Sequence, residues 1–344
     1  MTRKLKTLII YTGGTIGMIK DYKTNALKAF DFSQILEKIP ELNQLDCDIE
    51  TVSFEQPIDS SNMNTDYYVQ IAEIIESKYK IFDGFVVLTG SDTMSYASSA
   101  LSFMLEHLKK PVIFTGSQLP IGYLRTDAKE NLITSIEIAS AYKDDKPIVS
   151  EVCLYFEYKL YRANRTTKLS AEQFEAFASM NYPPLAESGV HLHFNTNLLV
   201  ESKGDNDLVV RKKLCTDIAI LKLFPGISLT VVESILKIKN IKGIILETYG
   251  AGNAPNDRNF IELLSEAIKK GIYIINVTQC AGGSVLLGHY ETSSELKDIG
   301  VVDAKDMTTE SAIAKLMYLL GVGLEKEEFV FNFEQSLRGE ITNK

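Results

Sequence analysis

Short apolar runs that stop at glycines punctuate the first half of the chain. Leu8-Ile9-Ile10-Tyr11, Phe85-Val86-Val87-Leu88 and residues 111–115 are rich in β-branched and aromatic side chains. Runs of this length without polar alternation read as strands buried on both faces. Each ends in a turn: Thr12-Gly13-Gly14-Thr15-Ile16-Gly17, Thr89-Gly90-Ser91-Asp92-Thr93-Met94 and Gly116-Ser117-Gln118-Leu119-Pro120. Elsewhere the period is helical. Asn64 or Thr65 can cap a helix through Lys78 with Tyr68, Ile71, Ile74 and Ile75 on one face. Ala97, Ala100, Leu101, Met104, Leu105 and Leu108 form the apolar face of a second helix, and Thr126 or Asp127 starts a third through Ala141. A strand over 49–55 and a helix over 31–39 capped by Asp31 complete the pattern. Strands alternating with helices predict a mainly parallel sheet with right-handed crossovers.

Residues 147–158 are strand-like. The stretch 178–189 contains Pro183-Pro184 and has little period, and 191–210 mixes short apolar pieces with Lys203-Gly204-Asp205-Asn206-Asp207. A second α/β pattern starts near Ile218, with strands over 218–223, 241–247 and 272–277 and helices over 229–238 and 259–270. Thr308 or Thr309 caps a last long helix over 310–320, and 325–344 reads as a short helix plus a tail. The expected architecture is an α/β protein of two domains. A larger N-terminal domain over 1–190, with a mainly parallel sheet flanked by helices, is joined by a linker over 191–213 to a smaller C-terminal α/β domain over 214–344. A length of 344 residues and a hydrophobic content of 45% suit two cores.

The net charge of −9 argues against nucleic acid and anionic membranes as partners. No apolar stretch is long enough to span a bilayer, and the N-terminal apolar run stops at glycines too early for a signal peptide. Cys47, Cys153, Cys215 and Cys280 are scattered with no C-x-x-C, as expected of a cytoplasmic chain with reduced thiols. Four histidines, His107, His191, His193 and His289, include one close pair, so no metal site is expected.

Hydroxyls recur where parallel strands end: Thr15, Ser60, Ser91 beside Asp92, and Ser117. Strand–Gly-Gly is often only a tight turn. The dinucleotide fingerprint, the phosphate loop and the G-x-S-x-G elbow are all absent. Several hydroxyls at one edge with an aspartate and a lysine suggest acyl transfer by a threonine nucleophile. A threonine needs a base; histidine is missing from these turns, and a lysine can serve. Turn N–H groups can then hold the oxyanion.

The turns carry a resemblance. Tyr11-Thr12-Gly13-Gly14-Thr15-Ile16-Gly17-Met18 is similar to the first signature of bacterial L-asparaginases, closest to the cytoplasmic type I branch, and 89–94 stands where that family has HGTDTM. Leu160 to Lys168, Phe177-Ala178-Ser179, Tyr249-Gly250-Ala251-Gly252-Asn253-Ala254-Pro255 and Thr278-Gln279-Cys280 also resemble type I members. The resemblance implies hydrolysis of L-asparagine to L-aspartate and ammonia through an acyl-enzyme. It makes Thr15 the nucleophile and Ser91, Asp92 and Lys168 the second triad. It gives Asp59, Ser60 and Ser61 to the substrate α-carboxylate, Asp92 to its α-amino group, and the Ser117 turn to the leaving amide. Asn253 matches a residue lent by a neighbouring subunit. It also implies no metal or organic cofactor and a homotetramer built as a dimer of dimers.

This chain departs from the family pattern at several points. Thr89 replaces the family histidine, Ser91 replaces a threonine, and Asn62 stands where aspartate is common. The loop tyrosine falls near Asn25, with Tyr22 the nearby phenol. Glu247 replaces an effector-site arginine, so no activation by asparagine is expected there. The residues have plainer uses too: Asp92 as a helix cap, Lys168 as a surface lysine, Cys280 as a buried apolar residue, and His191 and His193 as a solvated strand face. Two other functions stay open: an asparagine-binding sensor with weakened catalysis, and an amidase subunit of an amidotransferase such as the archaeal glutamyl-tRNA enzyme.

Overall fold

The computed structural model describes residues 3–20, 27–29, 39–200, 206–288 and 291–342. Tyr22, Asn25 and residues 31–38 of the expected first helix lie outside them. The chain divides into two compact units, Met1–Ser179 with Pro183–Lys212, and Met180–Tyr182 with Lys213–Lys344.

The first unit holds strands Leu5–Gly13 (β1), Cys47–Ile58 (β2), Gly84–Leu88 (β3), Val112–Thr115 (β4), Val152–Phe156 (β5), Lys159–Arg162 (β6), Ala186–Ser188 (β7) and Leu192–Phe194 (β8). They form one sheet in the order β8-β7-β6-β5-β4-β3-β1-β2. From β2 to β5 all neighbours are parallel, and β6, β7 and β8 extend it antiparallel. β3 and β5 are buried throughout, as their unbroken apolar runs require. Met18–Lys20 pairs with Leu27–Ala29, so the polar stretch after the first turn starts and ends in a short hairpin.

Helices Thr65–Lys78 (α1), Met94–Met104 (α2) and Ala128–Ala139 (α3) cover the sheet. Asn64 caps α1 by accepting from the N–H groups of Asp66 and Tyr67. α2 ends four residues short of Leu108: Leu105–Glu106 leaves the helix to pair with Val209–Val210, and His107 takes a φ of 58°.

Much of the stretch 191–213, expected as a linker, falls within the first unit. It carries β8 and the strand paired to Leu105–Glu106, and Arg211 N donates to the Met104 carbonyl. The buried Glu151–Arg162 pair helps hold this return: Arg162 donates to the Leu198 carbonyl, and Val200 N donates to Glu151. The compact division falls between Lys212 and Lys213.

The β5–β6 hairpin turns on Glu157 and Tyr158, with φ of 45° and 69°. Burial, and then the charges of Asp127, Glu130 and Glu175, push the Glu157 carboxyl up to about 7. Between its ordinary value of 4.5 and about 7, the folded protein keeps a proton that the unfolded chain has released. Stability therefore falls as pH rises through that window. Glu157→Gln is expected to flatten this part of a plot of denaturant midpoint against pH. An unchanged slope would remove Glu157 as its cause.

In the second unit, Ile218–Lys222 (β9), Gly243–Thr248 (β10), Tyr273–Thr278 (β11) and Val302–Asp303 (β12) form a four-stranded parallel sheet in that order. Its helices are Leu229–Leu236 (α4), Arg258–Lys269 (α5), Glu291–Asp298 (α6), Thr309–Val322 (α7) and Lys326–Glu334 (α8). Thr308 caps α7 through Ser311 N, and Gly323 closes it in the left-handed conformation. Lys315 on α7 is fully buried. Its ammonium donates to the Phe333 and Gln335 carbonyls, at 2.8 and 2.5 Å, and to Glu340 Oε1 at 2.5 Å. These bonds tie the end of α8 and the residues after it back onto α7.

Candidate active site

Register brings the strand ends level. Tyr11 of β1 pairs with Leu88 of β3 and with Ser53 of β2, and Leu88 pairs with Thr115 of β4. The turns that follow leave the sheet at one edge. β1 and β3 also form the place where the strand order reverses, since β2 lies on one side of β1 and β3, β4 and β5 on the other. Ligands of open parallel sheets bind in that crevice. Thr12 and Thr115 fasten the edge, their hydroxyls donating to the Leu88 and Tyr155 carbonyls.

The turns pack so closely that side chains are excluded. Gly14 has a φ of 86°, and a Cβ there would lie 2.4 Å from Gly90 N. A Cβ on Gly90 would lie 2.5 Å from Ser60 Oγ. Gly14 N donates to the Ile58 carbonyl, and Thr93 Oγ1 to the Ser60 carbonyl. Three sequence-distant turns are thus joined with only backbone and hydroxyls between them.

They enclose a small cavity of about 140 Å³. Thr15, Asp59, Ser60, Ser91, Asp92 and Lys168 line it, with Gly14, Met18, Gly90, Gln118 and Ala171. That volume suits a small polar metabolite rather than the ~300–1,000 Å³ ligands of most drug-like pockets. Lys168 arrives on a two-residue strand paired with Phe177–Ala178. Its Nζ donates to Ser91 Oγ at 2.8 Å and to Asp92 Oδ1 at 2.7 Å. Its side chain is only 15% exposed, so it is not a free surface lysine. Asp92 does not cap α2; Thr93 stands at that position without a side-chain cap bond.

Asp59 Oδ1 accepts from the Ser61 N–H at 2.8 Å and its hydroxyl at 2.7 Å. These bonds, the backbone one first, hold the Asp59 carboxyl below its usual range. Thr15 opens a short 3-10 turn anchored by the buried Ile16. Its hydroxyl makes no hydrogen bond among the described residues.

Six of the nine residues singled out from sequence thus line one cavity. The other three do not. Ser61 is exposed and bonds Asp59. Ser117 is buried and donates to the Leu119 carbonyl. Asn253 belongs to the second unit, in a bridge with Tyr249. Cys280, expected to be buried, is exposed. Glu247 is engaged by Thr309 at 2.9 Å and Lys222 at 3.1 Å. Gln118 was missed by sequence reasoning. It accepts from Ser91 Oγ at 3.2 Å and donates to the Gln173 carbonyl at 3.0 Å. Its place in the turn after a strand beside Ser117 was the one available signal. Among the described residues, no group of three or more His, Cys, Asp or Glu could hold a metal ion.

Comparison with known proteins extends this picture over the chain. A family model described as asparaginase, N-terminal, matches residues 6–200, and one described as glutaminase/asparaginase C-terminal domain matches 217–333. The chain is 41% identical to L-asparaginase 1 of Escherichia coli (strain K12) over 99% of both proteins. It is 38% identical to the 60 kDa lysophospholipase of Mus musculus over 98% of this chain and 62% of that protein. The crystal structure of L-asparaginase I from Vibrio cholerae O1 biovar eltor superimposes with a TM-score of 0.90 at 38% identity, covering 99% of this chain and all of that one. Fold and matches together place the molecule among two-domain α/β amidohydrolases. Within that class, the chain belongs to the asparaginase family.

Proposed function

We propose that this chain hydrolyses the side-chain amide of L-asparagine, giving L-aspartate and ammonia. The observation that carries the reading is the Lys168 ammonium, held by Ser91 and Asp92 in the same 140 Å³ cavity that Thr15 lines. The full-length likeness to the Escherichia coli L-asparaginase 1 supports the substrate.

In this reading the Thr15 hydroxyl attacks the carboxamide carbon. The tetrahedral oxyanion rests on turn N–H groups, ammonia leaves, and water releases aspartate from the Thr15 ester. Ser91 and Lys168 form the proton-handling pair, with Asp92 on the lysine. The Asp59–Ser61 turn receives the substrate α-carboxylate, with Ser60 at the cavity wall, and Asp92 faces the α-amino group. The Ser117 turn faces the leaving amide. Asn253 comes from a neighbouring copy in a homo-oligomer, a dimer of dimers acting in the cytoplasm without a cofactor. Among the described residues, no helix is long and apolar enough to cross a membrane.

A coupled ammonia assay on the purified protein tests this. Saturable ammonia release from asparagine, with glutamine slower, is expected. Tight asparagine binding by calorimetry without ammonia release would replace the enzyme with a sensor.

A further inference from the structure

Ser91 stands in a bonding pattern whose directions chemistry fixes. The Gln173 carbonyl can only accept, so the NH2 end of the Gln118 amide faces it, at 3.0 Å. The amide oxygen is then left for Ser91, 3.2 Å away, and Ser91 must donate its one proton there. The Lys168 ammonium only donates, and the Ser91 lone pairs receive it at 2.8 Å. The opposite amide orientation would leave the Gln173 carbonyl facing an oxygen, with no proton between them.

The Gln118 backbone is also anchored from behind. Asp127 accepts from Gln118 N at 2.8 Å and Leu119 N at 3.0 Å. The fully buried Asn131 donates to the Gly116 carbonyl at 3.0 Å and to Asp127 at 3.4 Å. Serine has no second substituent on Cβ, so its χ1 is freer than that of threonine. Two partners at fixed positions select one rotamer.

We infer that Gln118 is a positioning residue for Ser91: its amide fixes the rotamer and proton direction of a hydroxyl that lacks the β-methyl of threonine. The inference rests on the reading that Ser91 and Lys168 serve the amide-cleaving reaction. It adds the residue that keeps the pair in register. The Ser91 proton points at Gln118 in the resting site and turns to Lys168 only when the nitrogen is ready to take it. Gln118 therefore sets how often the pair is correctly poised, a property of kcat more than of substrate affinity.

The test is a double-mutant cycle on asparagine turnover with wild type, Gln118→Met, Ser91→Thr and the double variant, melting temperatures being recorded for each. Gln118→Leu is made alongside so that misfolding of one variant leaves the cycle intact. Gln118→Met is expected to lower kcat about tenfold, the worth of one well-made hydrogen bond, with KM changed less than about threefold. In the Ser91→Thr background the same change is expected to cost less than about threefold, because the methyl now holds χ1. An equal cost in both backgrounds, or no cost in wild type, would overturn the inference. Crystal structures of wild type and Gln118→Met decide it without turnover. One Ser91 rotamer in wild type and several in the variant are expected; a single shared rotamer would sink it. Absence of ammonia release by wild type would instead count against the proposed reaction, with the crystallographic arm still deciding the role of Gln118.

Discussion

Thr15→Ala is expected to lower kcat for asparagine at least about a thousandfold while leaving the melting temperature within about 2 °C of wild type. The two outcomes separate because Thr15 is half-buried, whereas the turn around it is fixed by other groups: the buried Ile16 and the contacts of Gly14 with Ile58 and Gly90. Removing the hydroxyl leaves those in place and takes away the atom that would form the ester. Lys168→Met is expected to fall in the same range, since it strips Ser91 and Asp92 of their shared donor. The double variant should be little worse than either single one, because groups acting in one step are not additive. Turnover in Thr15→Ala above about a tenth of wild type would remove that residue as nucleophile.

The largest expected effect on stability lies in the second unit. Lys315→Met should destabilise it by about 3–5 kcal/mol, measured as a lower denaturant midpoint. Lys315 and Glu340 are both fully buried. Burial pushes the Glu340 carboxyl up, but the Lys315 ammonium and the Leu337 and Arg338 N–H groups outweigh it and hold the carboxyl below 4.5. Methionine fills the space of the lysine stem yet leaves a buried carboxylate without its counter-charge and two carbonyls without a donor. A Lys315→Met/Glu340→Leu chain should recover part of the loss, since apolar pairs often replace buried ion pairs at little cost. The contribution is complete above the ordinary carboxylate value and disappears as pH falls through the lower folded one. A Lys315→Met midpoint equal to wild type would show the pair to be energetically idle.

Much of this organisation is readable from residue pattern alone, for identifiable reasons. β1, β3 and β4 carry unbroken apolar runs and stop at glycine, so both their existence and their functional ends are visible. The helix expected to begin at Asn64 or Thr65 and end at Lys78 matches α1 because cap chemistry is local. The antiparallel extension β6–β8 is much less visible. Its strands are three or four residues long, and its first hairpin turns on Glu157 and Tyr158, residues that seldom take positive φ. The stretch 191–210 reads as a linker because its described residues are held by tertiary contacts that residue pattern does not show, above all the Glu151–Arg162 pair at Leu198 and Val200. In the cavity, residue types exposed the hydroxyls and Asp92, whereas Lys168 stood out only through family likeness. Gln118 could not be found that way, because its importance lies in bonds to Ser91 and Gln173, one distant in the chain in each direction.

The strand order has a kinetic consequence. β1 is made first yet lies between β2 and β3, and the cavity also draws on β4 and on a lysine far beyond it. Each parallel neighbour must be brought in by a long crossover, so helices can form locally long before the crevice closes. During refolding from denaturant, the far-ultraviolet helical signal should return well ahead of any ability to release ammonia. On the ribosome, a nascent chain that has not yet exposed Lys168 would hold α1, α2 and α3 and no working cleft.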